Sequence, residues 1–217
     1  MEQPAMNTIA EEFLPDDMLR RLAGRDELDE VKFLQMTVDT SEQTLGDLGV
    51  RLPSLEQLRL SNSNIGTLRD LGTALGSLRV LWLARSGLQE LEGVGAFGML
   101  SELYVAFNGI EDLSPLMDME QLQVLDLEAN AIADDAQVQY LCGCGALQAL
   151  TLEGNPVAEA REYRRQVGAA LPQLQLLDDE PLEPQQDSAA AADAFDAASD
   201  CGDAAGGGGA AGGGGGA

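Results

Sequence analysis

Histidine is absent from this 217-residue sequence. With it go the imidazole general base, the Ser-His and Cys-His nucleophile pairs and the His-ligated zinc site. Cations are scarce as well: 12 Lys and Arg face 37 Asp and Glu, a formal charge of −25. At a pI near 4.1, phosphate backbones and anionic membrane surfaces are expected to repel the chain, which excludes nucleic acid and membrane as direct partners. Aromatics are 4% of the residues, so the core that a 45% hydrophobic content allows has to be aliphatic. No apolar run reaches the roughly 18 residues of a membrane span, and Met1-Glu2-Gln3-Pro4 has neither a basic start nor an apolar run. A soluble, non-secreted chain is expected. The three cysteines, Cys142, Cys144 and Cys201, are an odd number with two of them only two positions apart. Reduced thiols in a cytosolic-type compartment follow.

What the sequence does have is self-similarity. Leu-x-x-Leu-x-Leu-x-x-Asn-x-Ile begins at Leu55, Leu58, Leu60, Ser63 and Ile65. It returns at Leu78, Leu81, Leu83, Ser86 and Leu88, and again at Leu100, Leu103, Val105, Asn108 and Ile110. Leu122, Leu125, Leu127, Asn130 and Ile132, then Leu147, Leu150, Leu152, Asn155 and Val157, complete five copies, with start-to-start spacings of 23, 22, 22 and 25. This is a leucine-rich repeat. Leu28, Val31, Phe33, Met36 and Val38 fit an irregular copy upstream, with Val31 in the place of Leu58. Leu171, Leu174 and Leu176 fit a truncated copy downstream, with Leu174 in the place of Leu150. The expected fold is an α/β solenoid with seven short parallel strands on its concave side.

Within each unit the alternating leucines point inward and the residues between them point onto the concave face. The Asn at the ninth position turns the chain off the strand by bonding backbone groups that the turn leaves unpaired. Ser63 and Ser86 take that place in the first two units. Leu68, Leu71 and Leu75, then Leu91, Val94 and Phe97, then Leu113, Leu116 and Met119 recur at three- to four-residue spacing, so the convex side is expected to be short helices or 3-10 turns. A stack needs caps at both ends. Residues 1–27 read as an N-terminal cap, with Phe13, Leu14, Met18, Leu19 and Leu22 on one helical face between Pro15-Asp16 and Gly24. Residues 28–182 form the repeat domain. Its C-terminal cap is a helix over 158–170 with Tyr163 and Val167 inward. From 183 to 217 the chain is rich in Ala, Asp and Gly, with Phe195 its one large apolar residue, and is expected to be disordered.

Chemistry-bearing clusters are few. Cys142-x-Cys144 has no second pair to complete a metal site, so small residues filling a convex turn is the reading. Asp126 and Glu128 lack a deep pocket that would make them an acid/base pair. Arg161, Arg164 and Arg165 read as the wet face of the capping helix. No catalytic site, cofactor or metal is expected.

The concave face is more informative. The fifth positions of successive units hold Lys32, Arg59, Trp82, Tyr104, Asp126 and Thr151, and the eighth hold Gln35, Asn62, Arg85, Phe107, Ala129 and Gly154. Trp82, Tyr104 and Phe107 sit in no core slot, and Arg59 and Arg85 flank them, the composition of an interface hot spot. The face turns acidic at Asp126, Glu128 and Glu153. A protein partner with an apolar anchor and complementary charges would be oriented by it.

The repeating unit resembles the short intracellular repeat class of phosphatase-1 regulators, spliceosomal and tubulin-associated proteins and an axonemal dynein light chain. Val38-Asp39-Thr40 with Leu45-Gly46, Leu68-Arg69-Asp70-Leu71-Gly72-Thr73 and Val80-Leu81-Trp82-Leu83-Ala84-Arg85 resemble the leucine-rich repeat-containing protein 56 family. Asp112-Leu113-Ser114-Pro115-Leu116, Leu152-Glu153-Gly154-Asn155, and Leu171-Pro172-Gln173-Leu174-Gln175 with Leu177-Asp178 extend the resemblance over about residues 10–182. It implies a non-enzymatic adaptor of cytoplasm and cilium or flagellum, needed for outer dynein arm assembly. Its partners would be intraflagellar transport and outer dynein arm subunits, and the chain itself monomeric. The alternative is a generic scaffold such as a phosphatase-1 regulatory subunit. Replacing Leu103 or Leu125 by Ala in mid-stack is expected to cost about 2–5 kcal/mol in urea denaturation. A change below about 0.5 kcal/mol would place these residues on the surface and refute the repeat register.

Overall fold

The computed structural model describes residues 12–182. They begin with strand β1 (Glu12–Phe13) and helix α1 (Asp16–Ala23). Pro15 leads that helix without cost because first-turn amides have no intrahelical acceptor, and Gly24 ends it at a left-handed φ of 65°. Strands β2 (Phe33–Gln35) and β3 (Gln43–Thr44), helix α2 (Leu48–Arg51) and strand β4 (Gln57–Arg59) follow. Next come β5 (Val80–Trp82), β6 (Glu102–Tyr104) and β7 (Val124–Asp126), helix α3 (Ala136–Gln139) and β8 (Ala149–Thr151). Helix α4 (Tyr163–Ala170), β9 (Leu176–Leu177) and β10 (Glu180–Pro181) complete the described chain. Its main sheet runs β2-β4-β5-β6-β7-β8-β9-β10. The first seven strands are parallel and β10 turns back antiparallel on β9, while β1 pairs with β3 in a separate parallel ribbon.

Register explains the core. Leu34, Leu58, Leu81, Leu103, Leu125, Leu150 and Leu177 are cross-strand partners in one unbroken row, all buried. One unit could bury little of this surface alone, whereas each leucine here is covered by the equivalent leucine of the next turn. The convex side carries 3-10 turns at Leu68–Leu71, Val94–Ala96 and Ser114–Leu116, which bury Leu68, Leu71, Val94 and Leu116. Shortly before each strand stand Leu52, Leu75, Phe97, Met119, Cys144 and Leu171 at equivalent places, again all buried. Cys144 is thus a core residue of its repeat, and burial pushes its thiol up to about 11.

The ninth-position side chains couple the turns. Asn130 accepts the Ile110 N–H at 3.1 Å and donates to the carbonyls of Val105 and Leu127, each at 3.0 Å. Asn155 repeats this with the Ile132 N–H and the carbonyls of Leu127 and Leu152. Asn108 accepts from the Ser86 and Leu88 N–H groups and donates to the carbonyls of Leu83 and Val105. The hydroxyls do less: Ser63 accepts the Val38 N–H, and Ser86 donates to the Leu83 carbonyl.

The two ends depart from expectation. Leu34, not Val31, partners Leu58, so the first repeat lies closer to the second than expected, by an odd number of positions. An odd slip moves every side chain to the opposite face. Phe33 is therefore 46% exposed on the concave side, Gln35 takes the fifth-position place beside Arg59, and Lys32 stands before the strand with its ammonium 2.8 Å from Glu56. At the other end Leu177 fills the slot assigned to Leu174, because α4 lengthens the last unit, and Leu176 is exposed on the concave row. In the N-terminal cap Leu14 and Leu19 are buried as expected. Met18 and Leu22 are exposed, and Phe13 belongs to β1 rather than to the helix. The region 158–170 is a 3-10 turn at Pro156–Glu159 followed by α4, with extended Ala160 breaking the helix between them; Tyr163 and Val167 are buried as expected. Residues 183–217, expected to be disordered, lie outside the described residues.

Replacing Asn130 by Ala would strand the buried Ile110 N–H and take one of two amide donors from each of the Val105 and Leu127 carbonyls, which keep Asn108 and Asn155. It is expected to cost about 1–3 kcal/mol in urea denaturation. The exposed Glu120→Ala should stay within about 0.5 kcal/mol, and equal effects of the two would refute the role assigned to the amide.

Candidate functional site

The sheet register places Gln35, Arg59, Trp82, Tyr104, Asp126 and Thr151 side by side on the concave face. Neighbouring strands lie roughly 4.8 Å apart, so flat side chains at equivalent positions are brought to stacking distance by the backbone itself. Trp82 and Tyr104 stack with ring centroids 5.6 Å apart and planes within 11°. The Arg59 guanidinium lies 5.1 Å from the Trp82 ring centroid and extends the stack by one strand. In the third-position row, Val80 is buried between Gln57 and Glu102, so the surrounding side chains close over the sheet there.

The eighth position lies just past each strand, where the chain turns under the ninth-position side chain. Its backbone is left-handed in every central repeat: Asn62 at φ 63°, Arg85 at 56°, Phe107 at 57°, Ala129 at 52° and Gly154 at 76°. Asn and Gly adopt this region readily, while for Arg and Phe it costs about 1 kcal/mol or more. The Arg85 guanidinium sits 4.0 Å from the Phe107 ring centroid, and Phe107 is 39% exposed. Between the two rows, at the seventh position, stand the small Ser61, Ala84 and Ala106.

Beyond Tyr104 the face is acidic. Asp126 accepts the Glu128 N–H at 3.0 Å, which commits one carboxylate oxygen to holding the strand end rather than to proton transfer. Past Glu153 the sequence reading missed Asp178, whose carboxylate accepts the N–H groups of Leu152 and Glu153 at 2.8 and 2.9 Å. Asp178 and Asp179, at φ 53° and 60°, form the tight turn that folds β10 back. An Asp-Asp pair after an apolar strand was the available signal.

The charges divide unequally. Eight of the twelve cations lie within ion-pair distance of a carboxylate. Arg59 and Arg85 pair with no carboxylate among the described residues, although carboxylates outnumber cations threefold. Arg164, by contrast, is occupied: it donates to the carbonyls of Leu177, Glu180 and Pro181 and fastens the last hairpin, while Arg165 pairs with Glu162. Among the described residues no group of three or more Cys, Asp or Glu side chains is arranged to hold a metal ion, and no helix is long and apolar enough to cross a membrane.

No protein-family model matches the chain. It is 49% identical over 185 residues to human leucine-rich repeat-containing protein 56, a match covering 80% of this chain and 34% of that protein. The rat protein of the same name matches at 49% over 183 residues, and the homolog from Trypanosoma brucei brucei at 35% over 126 residues, 57% of this chain and 17% of that one. The chain thus spans about a third of the length of the mammalian relatives. Among solved structures, the Drosophila melanogaster SNF/U2A' complex is similar with a TM-score of 0.51 at 20% identity, covering 85% of this chain and 93% of that one. Internalin C2 from Listeria monocytogenes is similar with a TM-score of 0.50 at 18% identity, covering 80% and 86%. Both are likenesses of fold, and they show a leucine-rich repeat solenoid.

Burial first, then the hydrogen bond to Glu102 at 2.8 Å and the negative charges of Glu102 and Asp126, push the Tyr104 phenol up from its ordinary value near 10 to about 12. The folded state therefore holds this proton more tightly than the unfolded chain. The stability it contributes is complete below pH of about 10 and is lost as pH climbs through about 12. A spectrophotometric phenolate titration, taken as the difference from Tyr104→Phe, should place the midpoint well above the ordinary value, and Glu102→Gln should draw it back. An ordinary midpoint would mean that the ring is solvated and the stack open.

Proposed function

By sequence the chain belongs to the leucine-rich repeat-containing protein 56 family, and on that premise we propose that it is a non-enzymatic protein-binding adaptor for outer dynein arms. In this reading it serves their assembly or transport in cilia and flagella, linking dynein cargo to intraflagellar transport in the cytoplasm and the cilium. The ciliary role is what the family resemblance implies. The binding role has its own support in one observation: the stacked Trp82–Tyr104 pair, capped by Arg59, stands on the concave face instead of in the core. Large rigid rings beside arginine are the composition from which interface hot spots are built. Arg59, Trp82, Arg85, Tyr104 and Phe107 would form the apolar-basic half of the interface, and Asp126, Glu128 and Glu153 the acidic half.

The test is affinity capture from ciliated-cell cytoplasm, with the unaltered chain and a Trp82→Ala, Tyr104→Ala double variant compared by mass spectrometry. Transport and outer-arm dynein subunits are expected with the first and lost with the second, both proteins showing the same circular dichroism. Capture of a phosphatase without those subunits would replace the ciliary reading with that of a phosphatase regulatory scaffold.

A further inference from the structure

Nothing in the fold requires a ring at position 107 or a guanidinium at position 85. Both residues stand in the left-handed backbone that least tolerates them, at a place where other repeats carry Asn62 or Gly154. Strain is kept at three consecutive repeats, at Arg85, Phe107 and Ala129. Only at the first two do the strained positions carry large side chains, stacked on each other and facing outward, and that is strain kept for what lies outside the fold. Beside them Arg59 holds its charge against Trp82 with no described carboxylate in reach. Three to four strands on from Arg59, Asp126, Glu128 and Glu153 appear in no ion pair with a described cation. The face therefore carries two uncompensated charge clusters of opposite sign, with rings between them and a half-buried floor of Ser61 and Ala84.

We propose that this face takes one amphipathic helix of a protein partner, laid across the strands with its acidic end over Arg59 and Arg85 and its basic end over Asp126, Glu128 and Glu153. One large apolar side chain seats over Ala84, between the Trp82–Tyr104 stack and Phe107. A helix fits because the concave backbone groups are already bonded within the sheet, so the occupant must satisfy its own. Three to four strand steps of about 4.8 Å separate the charge clusters, which a helix rising about 1.5 Å per residue covers in roughly nine to thirteen residues. Acid at the helix N-terminus and base at its C-terminus also complement its own dipole, which sets the N-terminus over β4 and β5. This rests on the concave face being the binding surface proposed above, and adds what occupies it.

The probe is a fluorescent helical peptide of about four turns with Glu and Asp in its first turn, a central Leu and Lys in its last. A control peptide has the same composition with the charges alternated along its length. Anisotropy with the full chain should show the bipolar peptide binding at least tenfold tighter than the control. Arg59→Glu with Arg85→Glu should remove that difference, and a peptide with both ends charge-reversed should fail on the unaltered chain; if it binds instead, lying the other way round, the assigned direction falls. Phe107→Asn separates binding from folding: it should weaken the bipolar peptide at least fivefold while its melting temperature stays equal or rises. Equal affinity for the two peptides, or an unchanged affinity in Phe107→Asn, would overturn the proposal. So would self-association that Arg59→Glu abolishes, which makes a second copy the occupant, or tighter peptide binding by Phe195→Ser, which makes it the chain's own acidic tail. Failure here with dynein and transport subunits still captured discards the helix alone, and peptide binding without those subunits discards the ciliary reading alone.

Discussion

Every turn off the concave sheet leaves backbone N–H and carbonyl groups inside the molecule, and one short polar side chain per repeat has to satisfy them. Asn108, Asn130 and Asn155 do this across two turns at once, accepting an N–H of the preceding repeat and donating to carbonyls of both. Because the amide must reach the same groups each time, the chain leaves each strand at the same point and with the same backbone. The left-handed conformation at the residue before it is part of that geometry. Leucine stacking provides the core, but the amide fixes where each leucine stands. The places of Arg85 and Phe107 are consequences of a constraint that arises inside the fold.

Charge is distributed under a second constraint. With so few cations, each one committed to the fold is unavailable to a partner. Arg51 ties α1 to α2 through Asp16 and Asp47, Lys32 joins the first two repeats through Glu56, Arg69 reaches Glu92 in the next repeat, and Arg164 holds the last hairpin. Most of these pairs are exposed and contribute little individually. Four arginines stand outside all such pairs among the described residues, Arg59, Arg79, Arg85 and Arg161, and of these the concave Arg59 and Arg85 are held by rings instead of carboxylates. A guanidinium against an aromatic face keeps both its fork of donors and its charge available, which a salt bridge would not.

The five central repeats were legible because their period is nearly constant and their core slots are nearly all leucine. Trp82, Tyr104 and Asp126 could be placed in one row for the same reason: strand alternation fixes the face once the register is fixed. The end repeats were not legible. The last unit, Leu150 to Leu177, is lengthened by α4, while the first, Leu34 to Leu58, keeps the central period but has Val31 and Met36 where the central units have leucine. No local pattern in Phe33-Leu34-Gln35 or Leu176-Leu177 distinguishes inward from outward. Phe33 and Leu176, expected inward, each proved to be the exposed neighbour of the leucine that is buried. The positive φ at the eighth position was present in the sequence as Asn62 and Gly154 at equivalent offsets, a signal that only gains meaning once Arg85 and Phe107 are aligned with them.

A stack of this kind separates folding from recognition more completely than a globular core does. The residues that hold it together are the inward leucines and the turn amides, while the concave side chains at the third, fifth and seventh positions stand mostly outside that work, the buried Val80 and Ala106 and the strand-end Asp126 excepted. The eighth position is the exception, since its backbone is dictated by the fold while its side chain faces out. A residue there that suits the backbone is Asn or Gly, and a residue that suits an apolar or acidic partner is large. Asn62 and Gly154 meet the first demand, Arg85 and Phe107 the second and Ala129 neither, and the large side chains fall where the ring stack lies. Flanked by further repeats on both sides, these central units are rigid before anything binds, so the ordering entropy that a flexible loop would lose on association has already been lost in folding.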